Sequence, residues 1–385
     1  MRYNPRRILG SIRRRLKSLS RKRHYRTNQP IIKHQVLFVS FEGKVTADSP
    51  LDVFHELRKQ HPDWVFLWTV AADAQAPEGA VAVVYESKDW LAALARSQFL
   101  VSNNLLPWYF KKSAGQTYLQ TWHGTPLKRL ANDIETGGVS STYLANINRE
   151  SGAWDYLVSP SDFATRAFRS AFGFTGEILE FGYPRNDRLA QQTVSRQSLC
   201  EKIGIADLGK KLVLYAPTWR DYRISATGEW EAFNYLSPDL QLPDGYQLLF
   251  RGHSATLGTH DSSIAGNAID VTKYPDITEL LLVADVLVTD FSSTMFDFSI
   301  TGKPILFFAP DFERYQNERG FYFDFEAIAP GPIYRDQDQL LTGLSQLSKL
   351  QTDYRERYQN WQQKFNKLEV GTAAQQVVNA VFSKA

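Results

Sequence analysis

Short apolar runs alternate with amphipathic segments along almost the whole chain, and most of the runs stop at a cluster of polar residues. "QVLFVSF" (35–41) is followed by the helix-like "PLDVFHELRKQH", then by "VFLWTV" and "VAVVY". "DWLAALARS" reads as a helix, "FLVSNN" as a strand, and "TYLQTWHGTP" as a strand broken at Gly124 and Pro126. "DYLVSPS" leads into the helix "DFATRAFRSAFG", and "EILEFGYPRND" closes this series. A polar stretch, 190–210, carries no strong strand. The pattern then restarts with "KLVLYAPTWRD", "YQLLFRGHS", "NAIDVT", "DITELLLVA", "DVLVTD" and "PILFF". Strands that alternate with helices require parallel sheets joined by crossovers. Two such series predict an α/β protein with two Rossmann-type, doubly wound domains facing a cleft.

The predicted divisions are a basic segment (1–30), a first Rossmann-like domain (31–195), a second (205–365) and a C-terminal helix (366–385). A polar, aromatic helix is expected over about 352–367 and a terminal helix over about 371–383. A chain of 385 residues, 43% hydrophobic, can fill two cores. In doubly wound sheets, ligands sit outside the carboxyl ends of the strands. The polar clusters at strand ends are therefore where chemistry is expected.

The densest of them is in "LVTDFSSTMFDFSITGKPILFF" (287–308), where Asp290, Ser292, Ser293 and Thr294 open a helix. One such residue suffices for a cap. Three hydroxyls together add donors, without negative charge, to the unpaired N–H groups of a helix start, which suits a phosphate. Asp297, one turn in, is within reach of a ligand hydroxyl. In "YLQTWHGTPLKRL" (118–130), His123 follows a strand beside Gly124, whose missing side chain admits a sharp turn or a close ligand. That histidine reads as a general base or as a donor to phosphate. In "LLFRGHS" (248–254), Arg251 and His253 suit a diphosphate. "GYPRND" and "YAPTWRD" place Arg185 and Arg220 after strands, each either a phosphate clamp or a salt bridge at a domain interface.

Other chemistries find little support. Scattered histidines and the single Cys200 build no metal site, and "DQD" (336–338) reads better as a helix start than as an Asp-x-Asp ion site. Walker, Gly-x-Gly-x-x-Gly and Gly-x-Ser-x-Gly patterns are absent, which argues against ATPases, simple dehydrogenases and hydrolase elbows. No metal and no cofactor is expected.

Charge is unevenly placed. Eleven of the 44 Lys/Arg fall in the first 26 residues and the first acid is Glu42, so 33 bases face 41 acids in the remainder, a balance of −8. Within the basic segment Ile8, Leu9, Ile12, Leu16 and Leu19 form one stripe if the segment is helical. A basic amphipathic helix of this kind suits an anionic bilayer surface; a solvated tail and a nucleic-acid arm are the alternatives. The acidic remainder, without a repeated basic–aromatic surface, speaks against nucleic acid. One cysteine, no apolar run of membrane-spanning length and no signal-peptide pattern point to a cytoplasmic protein, peripheral on the inner face of the membrane.

Taken together, "QTWHGTPLKRL", "GYPRND", "YAPTWRD", "FRGHS" and "VTDFSSTMFDF…GKPILFF", in that order over roughly 36–365, resemble the CDP-glycerol (or CDP-ribitol) glycerophosphotransferase family of teichoic acid synthesis. The resemblance implies a GT-B-like fold with an N-terminal acceptor domain and a C-terminal CDP-donor domain. It implies transfer of glycerol phosphate from CDP-glycerol to an undecaprenyl-diphosphate-linked disaccharide, with release of CMP. His123, His253 and Asp297 would be catalytic; Gly124, Arg185, Arg220, Arg251, Ser292, Ser293 and Thr294 would bind substrate. The compact chain favours the primase of the family over its polymerases, and a nucleotide-sugar glycosyltransferase of the same fold is the competing reading.

Overall fold

The computed structural model describes residues 19–23, 25, 29–135, 140–206, 208–218, 220, 236–237, 239–252 and 267–383. Most of the basic segment, and His253, lie outside the described residues.

Thirteen strands among the described residues form two sheets. The first contains β1 (Ile32–Val39), β2 (Val65–Val70), β3 (Val81–Val84), β4 (Ser97–Ser102), β5 (Thr117–Gln120), β6 (Tyr156–Ser159) and β7 (Glu177–Glu180). Its spatial order is β3-β2-β1-β4-β5-β6-β7. The second contains β8 (Lys211–Ala216), β9 (Tyr246–Phe250), β10 (Ile269–Asp270), β11 (Val286–Thr289), β12 (Ile305–Phe308) and β13 (Ile333–Tyr334), ordered β10-β9-β8-β11-β12-β13. Every strand pairing is parallel. Both sheets reverse direction at their first strand, the doubly wound order that opens a crevice beside that strand.

Side-chain alternation explains why both faces of each sheet are covered. Val36 and Phe38 of β1 enter one apolar cluster, while Leu37 and Val39 enter another on the opposite face. In the second sheet Leu287, Ile305 and Phe307 pack on one side and Val286, Val288, Leu306 and Phe308 on the other. Strands buried on both faces read as continuous apolar runs, as "VLVT" and "ILFF" do.

Helix Asp162–Phe172 shows how a local pattern is turned into packing. Ser161 caps it by accepting from Ala164 N, Gly173 ends it at φ 57°, and Ala164, Ala167, Phe168, Ala171 and Phe172 bury one stripe. The residue outside that stripe, Phe163, meets Phe365 edge-on at 5.1 Å and Phe323 at 5.5 Å. A helix of the first series thus packs on the end of the second. A backbone tie lies nearby: Lys128 pairs antiparallel with Phe321, and Tyr322 N donates to Leu127 O at 2.9 Å.

One detail differs from the sequence reading and two add to it. β1 ends at Val39, because Phe41, apolar enough to be read as strand, takes a left-handed turn at φ 44°. The stretch 190–210 contains the helix Arg196–Ile203, whose Leu199 and Cys200 pack into the second sheet's cluster. The terminal helix, Ala373–Phe382, returns to the first sheet, where Val377, Val378, Val381 and Phe382 join the cluster of Val36 and Phe38. Burial of each of these four side chains stabilises the return by roughly 1.5–3 kcal/mol. A charge in place of Val378 would remove that anchor.

Candidate active site

His123 is held from three sides. The turn after β5 puts Trp122 at φ 54°, and the Trp122 ring stacks on the imidazole at 4.4 Å and 26°. Phe41 lies 5.6 Å away on the loop after β1. His123 Nδ1 is 2.6 Å from the carbonyl oxygen of Asn103, just after β4. A carbonyl only accepts, so Nδ1 carries the proton and Nε2 is the basic nitrogen. Burial pushes the imidazole pKa down, against the opposing effects of the Asn103 carbonyl and the Asp48 carboxylate. A neutral imidazole with a fixed tautomer is the form a general base needs at neutral pH.

The hydroxyl cluster of the second sheet meets this loop directly. A Cβ built on Gly124 would lie 2.6 Å from Ser293 Oγ and 2.9 Å from Ser293 Cβ. Only glycine fits there. Ser293 stands at the helix start with φ −61° and makes no side-chain cap, while Ser292 Oγ accepts from Thr294 Oγ1 at 3.0 Å and from Thr294 N at 3.4 Å. All three hydroxyl residues are partly exposed. Gly124 and Ser293, 169 positions apart in sequence, therefore lie on one surface, at the carboxyl ends of β5 and β11.

Arg185, Asp297 and Arg220 sit differently from the expectation of substrate contact. Arg185 is 2% exposed. Its Nη2 donates to Asp297 at 2.9 and 3.2 Å, and its Nη1 to Asp48 at 3.3 and 3.4 Å. Of the two readings for Arg185, the interface salt bridge is the one observed, because the guanidinium joins carboxylates that follow β1 and β11. Asp297 is turned toward Arg185 and Asn186 Nδ2 (3.0 Å), so its buried carboxylate takes part in this contact between the two series. Burial still raises its pKa, opposed by Arg185.

Arg220 is likewise 2% exposed. It donates to Asp311 at 2.7 and 3.0 Å and to Thr218 O at 2.7 Å, and its Nη2 lies 2.8 Å from Asp290 Oδ2 as a charge contact without hydrogen-bond alignment. Asp290, Asp311 and Thr218 all follow strands of the second sheet, so these contacts brace its strand ends. Arg251 donates to the carbonyls of Tyr274 (2.7 Å) and Val271 (3.3 Å), and burial lowers its pKa. Asp336 of "DQD" accepts from Gln339 N at 2.9 Å, the helix cap the sequence suggested. Among the described residues no group of three or more His, Cys, Asp or Glu could hold a metal ion.

Sequence reasoning overlooked most of the segment 184–188. Asn186 Nδ2 also donates to Glu369 at 2.9 Å, and Tyr183 N donates to the same carboxylate at 3.2 Å. Burial lifts Glu369 to about 8. Asp187 caps the terminal helix by accepting from Ala373 N and Ala374 N, each at 2.8 Å. Arg188 lies 3.2 Å from Asp52 and 2.9 Å from Asp276, again joining the two series, and burial raises Asp52 to about 7. The available signal was "PRNDR" itself, four polar residues in a row after a proline at a strand end.

A family model described as CDP-Glycerol:Poly(glycerophosphate) glycerophosphotransferase matches residues 22–383. The chain belongs to this family. A teichoic acid poly(glycerol phosphate) polymerase of Bacillus subtilis (strain 168) is 37% identical over 92% of the chain and 50% of the relative. The chain thus spans about half the length of that polymerase. A second relative of the same name, from Bacillus spizizenii, is 36% identical over 89% of the chain and 90% of its own length. The teichoic acid glycerol-phosphate primase of Bacillus subtilis is 28% identical over 74% of the chain. A compact chain therefore does not select a primase, since a polymerase of the family is equally compact. Among solved structures, the wall teichoic acid polymerase TagF superposes with a TM-score of 0.86 at 35% identity, covering 98% of this chain and 96% of that one. A UDP-GlcNAc 2-epimerase from Neisseria meningitidis, 12% identical with a TM-score of 0.51 over 91% of this chain and 100% of that one, shares the fold.

Proposed function

We propose that this chain transfers glycerol phosphate from CDP-glycerol to a hydroxyl of a membrane-anchored, lipid-linked acceptor and releases CMP. The observation that carries the reading is the contact of Gly124 with Ser293, which joins the histidine loop to the hydroxyl cluster. Membership of the family supports the donor. A histidine-to-asparagine variant of TagF soaked with CDPG, 36% identical to this chain, supports it further. The two sheets then act as two domains, 31–195 for the acceptor and 205–365 for the donor, with the reaction in the crevice between their strand ends.

In this scheme the acceptor oxygen attacks the glycerol-linked phosphorus as His123 Nε2 takes its proton. The new oxygen–phosphorus bond forms, the diphosphate P–O bond breaks and CMP departs. Ser292, Ser293 and Thr294 donate to the diphosphate, and Arg251 with His253 answers the charge that builds on the leaving group. Arg185, Arg220 and Asp297 hold the frame. The membrane reading rests on the basic segment. Of its described end, Arg21 pairs with Glu86 and Tyr25 donates to Lys111 O at 2.8 Å, which ties the segment to the first sheet. No helix among the described residues is long and apolar enough to cross a membrane.

The test is CMP release from CDP-glycerol with a disaccharide-diphosphate-lipid analogue, followed by mass analysis of the acceptor. Acceptor-dependent CMP is expected. One added unit marks a primase, whereas a ladder marks a polymerase, the outcome the higher identity to polymerases favours. Turnover of a UDP-sugar without turnover of CDP-glycerol would overturn the proposal.

A further inference from the structure

The backbone that presents His123 is strained. Trp122 at φ 54° is a bulky side chain in the left-handed region, a conformation that costs about 1–3 kcal/mol and persists only where its surroundings impose it. The imposing contact is a side chain two residues back. Gln120 Oε1 accepts from Trp122 N at 2.9 Å, satisfying the donor that the turn takes out of the sheet.

Gln120 is itself gripped. Its Nε2 donates to Asn104 O at 3.2 Å and lies 3.5 Å from Tyr118 Oη. Tyr118 Oη donates to Glu150 Oε1 at 2.8 Å, and the same oxygen accepts from Leu106 N at 2.7 Å. Gln120 and Tyr118 are fully buried and Glu150 is 1% exposed. The row Glu150–Tyr118–Gln120 therefore holds two loops at once. One is the turn 121–124 that carries His123. The other is the loop 103–106, whose Asn103 carbonyl fixes the His123 tautomer. Neither Tyr118, Gln120 nor Glu150 is at the reacting surface, so their shared contacts with both loops are what distinguishes them from ordinary core polar groups.

We propose that Gln120 is a positioning residue for His123, braced by the buried Tyr118–Glu150 pair, and that it sets the distance and tautomer of the imidazole. The proposal rests on the reading of His123 as the base. Gln120→Met keeps the length of the side chain and removes the acceptor; Gln120→Glu keeps an acceptor oxygen; Tyr118→Phe breaks the link to Glu150 with little loss of volume.

The experiment compares these full-length variants with wild type in CMP release from CDP-glycerol and lipid-linked acceptor, alongside the thermal midpoint and the nitrogen chemical shifts of the His123 ring. Gln120→Met is expected to lower kcat by about tenfold or more while KM for CDP-glycerol stays within about twofold, since a misplaced catalytic group loses rate before binding. Gln120→Glu should recover part of the loss, and the ring shifts of Gln120→Met should show loss of the single Nδ1-protonated tautomer. Should Gln120→Met fail to fold, Tyr118→Phe carries the same test with a smaller loss. Wild-type kcat in both Gln120→Met and Tyr118→Phe would overturn the brace. If wild type itself releases no CMP, the functional reading fails and the ring shifts alone judge the brace: an unchanged tautomer in both variants overturns it.

Discussion

Arg185 and Arg220 are the same device used for two purposes. Each is 2% exposed, each lies between two carboxylates, and each guanidinium sits over an aromatic ring: Tyr183 at 4.5 Å for Arg185, Tyr315 at 4.7 Å and Phe291 at 5.2 Å for Arg220. The difference is where the carboxylates come from. Asp290 and Asp311 both follow strands of the second sheet, so Arg220 is satisfied inside one unit. Asp48 follows β1 and Asp297 follows β11, so Arg185 is satisfied only when the two series face each other. A buried guanidinium without its partners is costly. Arg185 thus makes the closed crevice a condition of good electrostatics, whereas the carboxylates that face Arg220 among the described residues belong to the second sheet.

Breaking each arginine should separate the two roles. Arg220→Met leaves Asp290 and Asp311 buried without their cation and is expected to cost about 3–5 kcal/mol, read by chemical denaturation. Arg185→Met should cost less, about 2–3 kcal/mol, because the buried Asp297 carboxyl is already inclined to take a proton and so sheds part of the penalty. The Arg185 variant should lose turnover out of proportion to stability, and adding Asp297→Asn should restore some stability. Equal losses of stability and activity in the two arginine variants would erase the distinction.

Gly124→Ala sharpens the comparison from the site itself. The added methyl would press on Ser293 from 2.6 Å and push the two loops apart, at an expected cost of about 1–3 kcal/mol and most of the activity. An active alanine variant with an unchanged thermal midpoint would remove that contact.

The last effect is spread over several pH units and is small at each. Glu369 has a folded pKa raised to about 8 from an ordinary 4.5, with burial as the main cause. Between these values the folded chain holds a proton that the unfolded chain releases. Its contribution is therefore full below the unfolded value and is lost as pH rises toward about 8, at no more than about 1.4 kcal/mol per pH unit. Glu369→Gln should flatten that slope in pH-dependent denaturation while its amide oxygen keeps the Asn186 contact. An unchanged slope would mean that Glu369 is ionised in the fold.

What the sequence disclosed and what it hid follow from distance along the chain. Strand ends, the turn at Gly124 and the hydroxyls at 292–294 are local patterns, and local patterns report which strand end a residue occupies. The doubly wound order brings two of those ends, after β5 and β11, together at Gly124 and Ser293. The partners of Arg185 are not local: Asp48 is 137 positions away and Asp297 is 112. No periodicity announces them, so a clamp and a salt bridge were equally readable at Arg185. Glu369, 183 positions from Asn186, was hidden for the same reason. Trp122 was hidden differently, since a tryptophan in a left-handed turn runs against its own preference and is imposed by Gln120.

The central claim is that His123, at the meeting of the two sheets, is the base for transfer from CDP-glycerol. Its most direct test is single-turnover CMP release by His123→Ala beside wild type, with CDP-glycerol binding measured on the same samples. A fall in rate of about 10²–10⁴-fold with binding kept within about twofold is the predicted result. Wild-type CMP release by the alanine variant would contradict the account.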